Sequence, residues 1–124
     1  RLSSDSKGIP TGAVLVEGTS YDFREPRAIG TLQLDTAYTA LERDADGRSR
    51  ISLASADGRS TTVWLDEQYG YAMVFTGDPL PDVARRSLAV EPMTCAPNAF
   101  RSADGLLKLE PGASFAAEWG IESS

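Results

Sequence analysis

An all-β domain of antiparallel strands is the fold class this sequence predicts, on three observations. Eleven glycines and seven prolines punctuate short segments rich in Val, Leu, Ile, Tyr, Phe and Trp. No apolar period of 3.6 residues is sustained over a dozen positions, so no long amphipathic helix is expected. Three Asp-Gly pairs, Asp46-Gly47, Asp57-Gly58 and Asp104-Gly105, mark hairpin turns, because both residue types tolerate the positive φ of a type I′ turn.

In chain order, a first strand is expected from Ala13 to Glu17, followed by a loop-like stretch from Asp22 to Leu34. The Asp-Gly turns imply flanking strands at Thr39 to Arg43, Arg50 to Ala54, Thr61 to Asp66 and Leu106 to Glu110. Tyr71 to Thr76 and Leu88 to Glu91 are short apolar strands, separated by a connection from Asp78 to Arg86 with two prolines and room for a helical turn. Ser114 to Ile121 alternates, with Phe115, Ala117, Trp119 and Ile121 on one face, as in a half-buried antiparallel strand. No repeat, low-complexity tract or linker divides the chain, so residues 1–124 read as one β-sandwich portion.

Composition narrows the chemistry. The 124 residues suffice for one domain with a modest core, and 41% hydrophobic with 24% charged residues is ordinary for a globular chain. A net charge of -6 argues against nucleic-acid binding, which needs a basic face. No apolar run approaches the roughly 20 residues that span a bilayer. The single cysteine, Cys95, forms no internal disulfide, which fits a reducing cytoplasm, and Cys95 itself reads as a small buried or semi-buried hydrophobe. Residue 1 is Arg rather than Met, so a processing boundary or a chain continuing upstream is expected.

There is no histidine, which removes Ser-His-Asp and Cys-His catalysis and the usual zinc sites. Carboxylates, arginines, hydroxyls and aromatics remain. Among them Glu91 stands out, closing the segment Ser87-Leu88-Ala89-Val90 just before Pro92 and Pro97, where a strand is expected to hand over to loop.

The order of several motifs resembles the C-terminal part of the aldose 1-epimerase (galactose mutarotase) family. They are Gly8-Ile9-Pro10-Thr11-Gly12, the run GTSYDFREPRAIG from Gly18 to Gly30, Leu34-Asp35, VFTGD from Val74 to Asp78, AVEPMTCAPNAF from Ala89 to Phe100, and LEPGASFAAEWGI from Leu109 to Ile121. The resemblance implies a large antiparallel β-sandwich of the galactose-mutarotase type, of which this chain is the C-terminal portion. It implies an isomerase acting on the anomeric centre of a free aldose without metal or organic cofactor. By motif position the family's general base falls on Glu91 and a carboxylate holding sugar hydroxyls on Asp35. Phe75 and Tyr71 are the candidate platforms for the C–H face of a pyranose. A carboxylate serves as base when partial burial raises its pKa, and an ionised one accepts bonds from vicinal hydroxyls.

One departure matters. The family's catalytic histidines come from the first half of its sandwich, so this chain reads as half of a site that an N-terminal half or a complementary chain completes. Asp35 is followed by Thr36-Ala37-Tyr38 where the family often has His-Asn. Other readings stay open: a carbohydrate-binding sandwich without turnover, a purely structural fragment that pairs with another chain, or a hexose 6-phosphate epimerase, which needs an arginine cluster at the pocket. Read alone, Glu91 is equally a surface charge and Asp35 a turn residue. Asp22, Arg24, Glu25 and Arg27 read as loop charges in ion pairs or as a polar cluster near the sugar, and the aromatics as core.

Overall fold

A computed structural model describes residues 1–124. The chain is antiparallel β throughout, with one short helix: β1 Leu2–Ser4, β2 Pro10–Ala13, β3 Asp35–Thr39, β4 Ser49–Ala54, β5 Ser60–Leu65, β6 Tyr71–Phe75, β7 Ala89–Met93, α1 Ala99–Ser102 and β8 Trp119–Ser123. They form three sheets, ordered β1-β2, β3-β6-β7 and β4-β5-β8. This agrees with the all-β sandwich class that the sequence predicts. No helix is long and apolar enough to cross a membrane.

The hairpin at Asp57-Gly58 forms as expected, joining β4 to β5 with Ser55 N donating to Arg59 O at 2.9 Å. Arg59 bonds the Asp57 carboxylate at 2.7 Å and holds it down to about pKa 2. The Asp46-Gly47 turn also forms, and its carboxylate is bonded by Arg50 at 2.7 Å. The strand expected before it does not: β3 ends at Thr39 because Ala40 takes a left-handed backbone, φ 51, that leaves the ladder. Arg43, expected in that strand, instead donates to the carbonyls of Gly47, Asp66 and Tyr69.

Other expectations need correction. The strand expected at Ala13 to Glu17 lies earlier, as β2, paired with the unforeseen β1. Asp104-Gly105 is no hairpin and Leu106 to Glu110 no strand. Ala103 and Gly105 both take positive φ after α1, and a Cβ at Gly105 would meet Cys95 Cα at 3.1 Å, so the residue serves close backbone approach. The last strand begins at Trp119 rather than Ser114, and the connection from Asp78 to Arg86 contains turns but no helix. Pro92 does not end β7; it sits inside the strand, opposite Ala72, which is tolerated because β7 is an edge strand.

Little of the chain is buried. Twelve of 124 residues are buried, Leu65 alone completely among large side chains, and the main cluster joins Leu2, Ala37 and Ala96 with the partly buried Tyr71, Met73 and Met93. The accessible surface is 8567 Å² for 13.3 kDa. A compact monomer of this mass exposes about 6,500 Å². The excess, roughly 2,000 Å², is more than twice the about 800 Å² that each partner contributes to a standard protein–protein interface. Register shows one part of it: Ile51, Leu53, Val63, Leu65, Trp119 and Ile121 share one face of the β4-β5-β8 sheet, on which Leu65 is buried but Leu53, Trp119 and Ile121 are exposed. On the opposite face the Trp64 ring lies over Gly120 and under the Arg48 guanidinium, 3.8 Å from its centroid.

This uncovered face sets the first expected outcome. In analytical ultracentrifugation at micromolar concentration the isolated 124-residue chain should associate, or else melt without cooperativity. A compact monomer with a sharp thermal transition would contradict it.

Candidate functional site

Antiparallel register puts directly opposed residues on one face of a sheet, and residues two apart along a strand share that face. In β3-β6-β7 the opposed rows are Asp35–Phe75–Ala89, Ala37–Met73–Glu91 and Thr39–Tyr71–Met93. All four residues singled out in the sequence, Asp35, Phe75, Tyr71 and Glu91, therefore stand on the same face. Asp35 and Glu91 are two strands and one side-chain row apart, roughly 12 Å between backbones from standard strand spacing. Their side chains project from the same surface with Phe75 and Met73 between them.

Asp35 and Phe75, direct register partners, also border an open depression of about 260 Å³, with Tyr21, Gln33, Leu34, Thr36, Asp78 and Pro79. It combines carboxylate, amide and hydroxyl groups with two aromatic rings and a proline, the mixture that recognises a sugar's hydroxyls and C–H faces. Gln33 was missed in the sequence because it lies in the segment read as loop, and Tyr21, just before that segment, carried no signal beyond its place in the motif from Gly18 to Gly30. Tyr21 stacks under the Arg1 guanidinium at 4.1 Å, and its carbonyl accepts a bond from the Tyr38 hydroxyl at 3.2 Å. Burial pushes the Tyr38 phenol up to about 12. A larger depression, about 400 Å³ near Asp46, Asp66, Glu67 and Glu118, is predominantly acidic and has no aromatic wall.

Glu91 lies mid-strand in β7, not at the strand's end, and its side chain is exposed. The partial burial a general base needs is therefore not provided by these residues. Tyr71 does not border the depression. Its hydroxyl donates to Asp104 Oδ1 at 2.9 Å and braces the loop after α1; desolvation, then this carboxylate, raise its pKa. Phe100 points into solvent, while Cys95 is half-buried against Gly105. No three Cys, Asp or Glu side chains converge on a site for a metal ion.

The strand end carrying Asp35 and Phe75 is fixed by a buried junction. Thr76 N donates to Leu34 O at 2.9 Å, and Leu34 N returns a bond to Thr76 Oγ1 at 2.8 Å. The Thr76 hydroxyl bonds the Asp78 carboxylate, which Arg85 Nη1 also reaches at 2.9 Å. The Thr76 hydroxyl first, then Arg85, hold Asp78 below the usual carboxylate range. The other arginines near the depression are likewise engaged. Arg24 pairs with Asp22 at 2.7 Å, drawing that carboxylate to about 2, and Arg27 reaches the Thr19 carbonyl and the Phe23 ring. In that loop Asp22 and Arg24 form an ion pair, whereas Glu25 and Arg27 form none.

Comparison with known proteins agrees with this architecture. A family model described as Aldose 1-epimerase matches residues 1–122. The chain is 29% identical over 108 residues to the uncharacterized protein YihR of Escherichia coli (strain K12), an alignment covering 87% of this chain and 32% of that relative. The chain thus spans about a third of the length of the curated relative it matches. No solved structure matches.

The Asp78 clamp has a definite pH signature. A carboxylate depressed in the folded state stabilises it above its unfolded pKa, near 3.8, and loses that contribution as pH falls through the folded value. The melting temperature of Asp78→Asn should lie below wild type by a constant margin above about pH 5, and the margin should shrink as pH falls below 3.8 and through the folded-state value. A margin independent of pH would contradict the clamp.

Proposed function

The chain belongs to the aldose 1-epimerase family, and on that footing we propose that it supplies the base and a sugar-binding carboxylate to a mutarotase acting on a free aldose. The observation that carries the reading is the common face: Asp35, Phe75 and Glu91 project from one side of β3-β6-β7, with Asp35 and Phe75 at an open depression.

In this reading the sugar lies against Phe75 with vicinal hydroxyls donating to the Asp35 carboxylate. Glu91 accepts the proton of the C1 hydroxyl while an acid protonates the ring oxygen. The C1–ring-oxygen bond breaks, leaving an open-chain aldehyde. Rotation about C1–C2 and closure from either face return the α or β anomer, the proton leaving Glu91 for the C1 oxygen while the attacking hydroxyl returns its proton to the acid. The acid is not in this chain, which has no histidine, and is assigned to the remainder of the family-length protein or to a complementary chain. That same complement would cover Glu91, giving it the desolvation that moves a carboxylate pKa toward neutrality. Sugar isomerisation needs neither nucleic acid nor membrane, and no further partner is invoked.

A second reading, a carbohydrate-binding sandwich without turnover, draws on the exposure of Glu91 and the missing histidines. A phosphorylated hexose is less well served, since Arg24, Arg27 and Arg85 all spend their guanidinium groups on protein acceptors.

The test is anomer exchange of fresh α-D-glucose and α-D-galactose, followed by polarimetry on the full reading frame. Glu91→Gln should lower kcat by about 10²- to 10⁴-fold, the range for losing a general base, with circular dichroism unchanged. If wild-type protein accelerates no aldose yet binds one, the binding-module reading replaces the enzyme.

A further inference from the structure

We propose that Arg85 is a positioning residue for the sugar subsite, acting through Asp78 and Thr76 on the backbone from which Asp35 and Phe75 project; this rests on the sugar-binding reading of those two residues. Leu34 immediately precedes Asp35 and Thr76 immediately follows Phe75, so the bonds between Leu34 and Thr76 close the ladder at the row that carries both site residues. Leu34 and Thr76 are 3% and 4% exposed, so these polar groups have almost no recourse to water if the junction loosens.

Arg85 converges on this junction from a distant part of the chain. Its backbone N–H donates to Thr76 O at 3.1 Å. Its guanidinium donates to Asp78 Oδ1 at 2.9 Å, to Leu32 O at 3.1 Å and to Gly30 O at 2.6 Å. One planar fork thus ties the segment entering β3 to the segment leaving β6. An ammonium group can satisfy some of these acceptors but not with the same spread. Arg85 holds this place in a left-handed backbone, φ 56, that residues other than glycine seldom adopt. It does not border the depression, whereas Asp78, its partner, does. Arg85 therefore acts on the sugar only through others.

The experiment compares five forms of the full reading frame in anomer exchange: wild type, Asp35→Asn, Arg85→Gly, Arg85→Lys and the double variant Asp35→Asn with Arg85→Gly. Glycine accepts the positive φ, so Arg85→Gly removes the guanidinium while relieving the backbone. Asp35→Asn should raise KM about tenfold, and Arg85→Gly about fivefold, with kcat within about twofold of wild type in the latter. Arg85→Lys should fall between wild type and Arg85→Gly. On the Asp35→Asn background, Arg85→Gly should change KM by less than about twofold, because what it positions is already lost.

An unchanged KM in folded Arg85→Gly would overturn the proposal. So would the same factor on both backgrounds, which marks a merely structural clip. If Arg85→Gly does not fold, Arg85→Lys decides, and a wild-type KM there overturns the proposal. If Asp35→Asn itself leaves KM unchanged, the sugar-binding reading fails and takes this inference with it, a result distinguishable from failure at Arg85 alone.

Discussion

The reciprocal pair of bonds between Leu34 and Thr76 is the constraint on which the candidate site depends. It fixes β3 against β6 at one end, and a slip of one residue there would put Asp35 and Phe75 on opposite faces. Because both partners are buried, the bonds are costly to lose, and the Thr76 hydroxyl extends the network to Asp78 and Arg85. β7 then inherits its register from β6, so the position of Glu91 relative to Asp35 follows from a junction in which neither side chain takes part.

The rest of the architecture is held more loosely. The β4-β5-β8 sheet leaves Leu53, Trp119 and Ile121 exposed on one face, and the chain exposes roughly 2,000 Å² more than a compact monomer of its mass. The same shortfall bears on the chemistry. Glu91 is placed but uncovered, whereas Asp35, as a hydroxyl acceptor, can work while exposed. The surface that would stabilise the fold and the cover that would tune the base are proposed to come from one source, the remainder of a family-length sandwich.

Much of this was legible in the residues. The all-β class, the hairpin at Asp57-Gly58 and the strands through Ile51, Val63 and Val74 follow from local alternation and turn chemistry, which act over a few residues. What was not legible depends on contacts between distant segments. Ala40 ends β3 by a left-handed backbone that no propensity requires, and Pro92 continues β7 because the strand lies at a sheet edge. Asp104-Gly105 looks like any other Asp-Gly pair, but its glycine serves close approach to Cys95. Asp35 and Glu91 were found by motif order; that they share a face with Phe75 is a property of register, invisible before the pairing is known. Gln33 and the Arg85 clamp lay in stretches read as loop or connection, and Tyr21 just before one of them, where side-chain roles are set by which groups happen to fold nearby.

The most direct measurement is the diffraction structure of the full-length protein from crystals equilibrated with D-galactose. The expected result is sugar density against Phe75, with hydroxyls on the Asp35 carboxylate and the anomeric carbon toward Glu91. Sugar bound on the opposite face of the sheet, at Val90 or Pro92, or in the acidic depression near Asp66 and Glu118, would contradict the assignment.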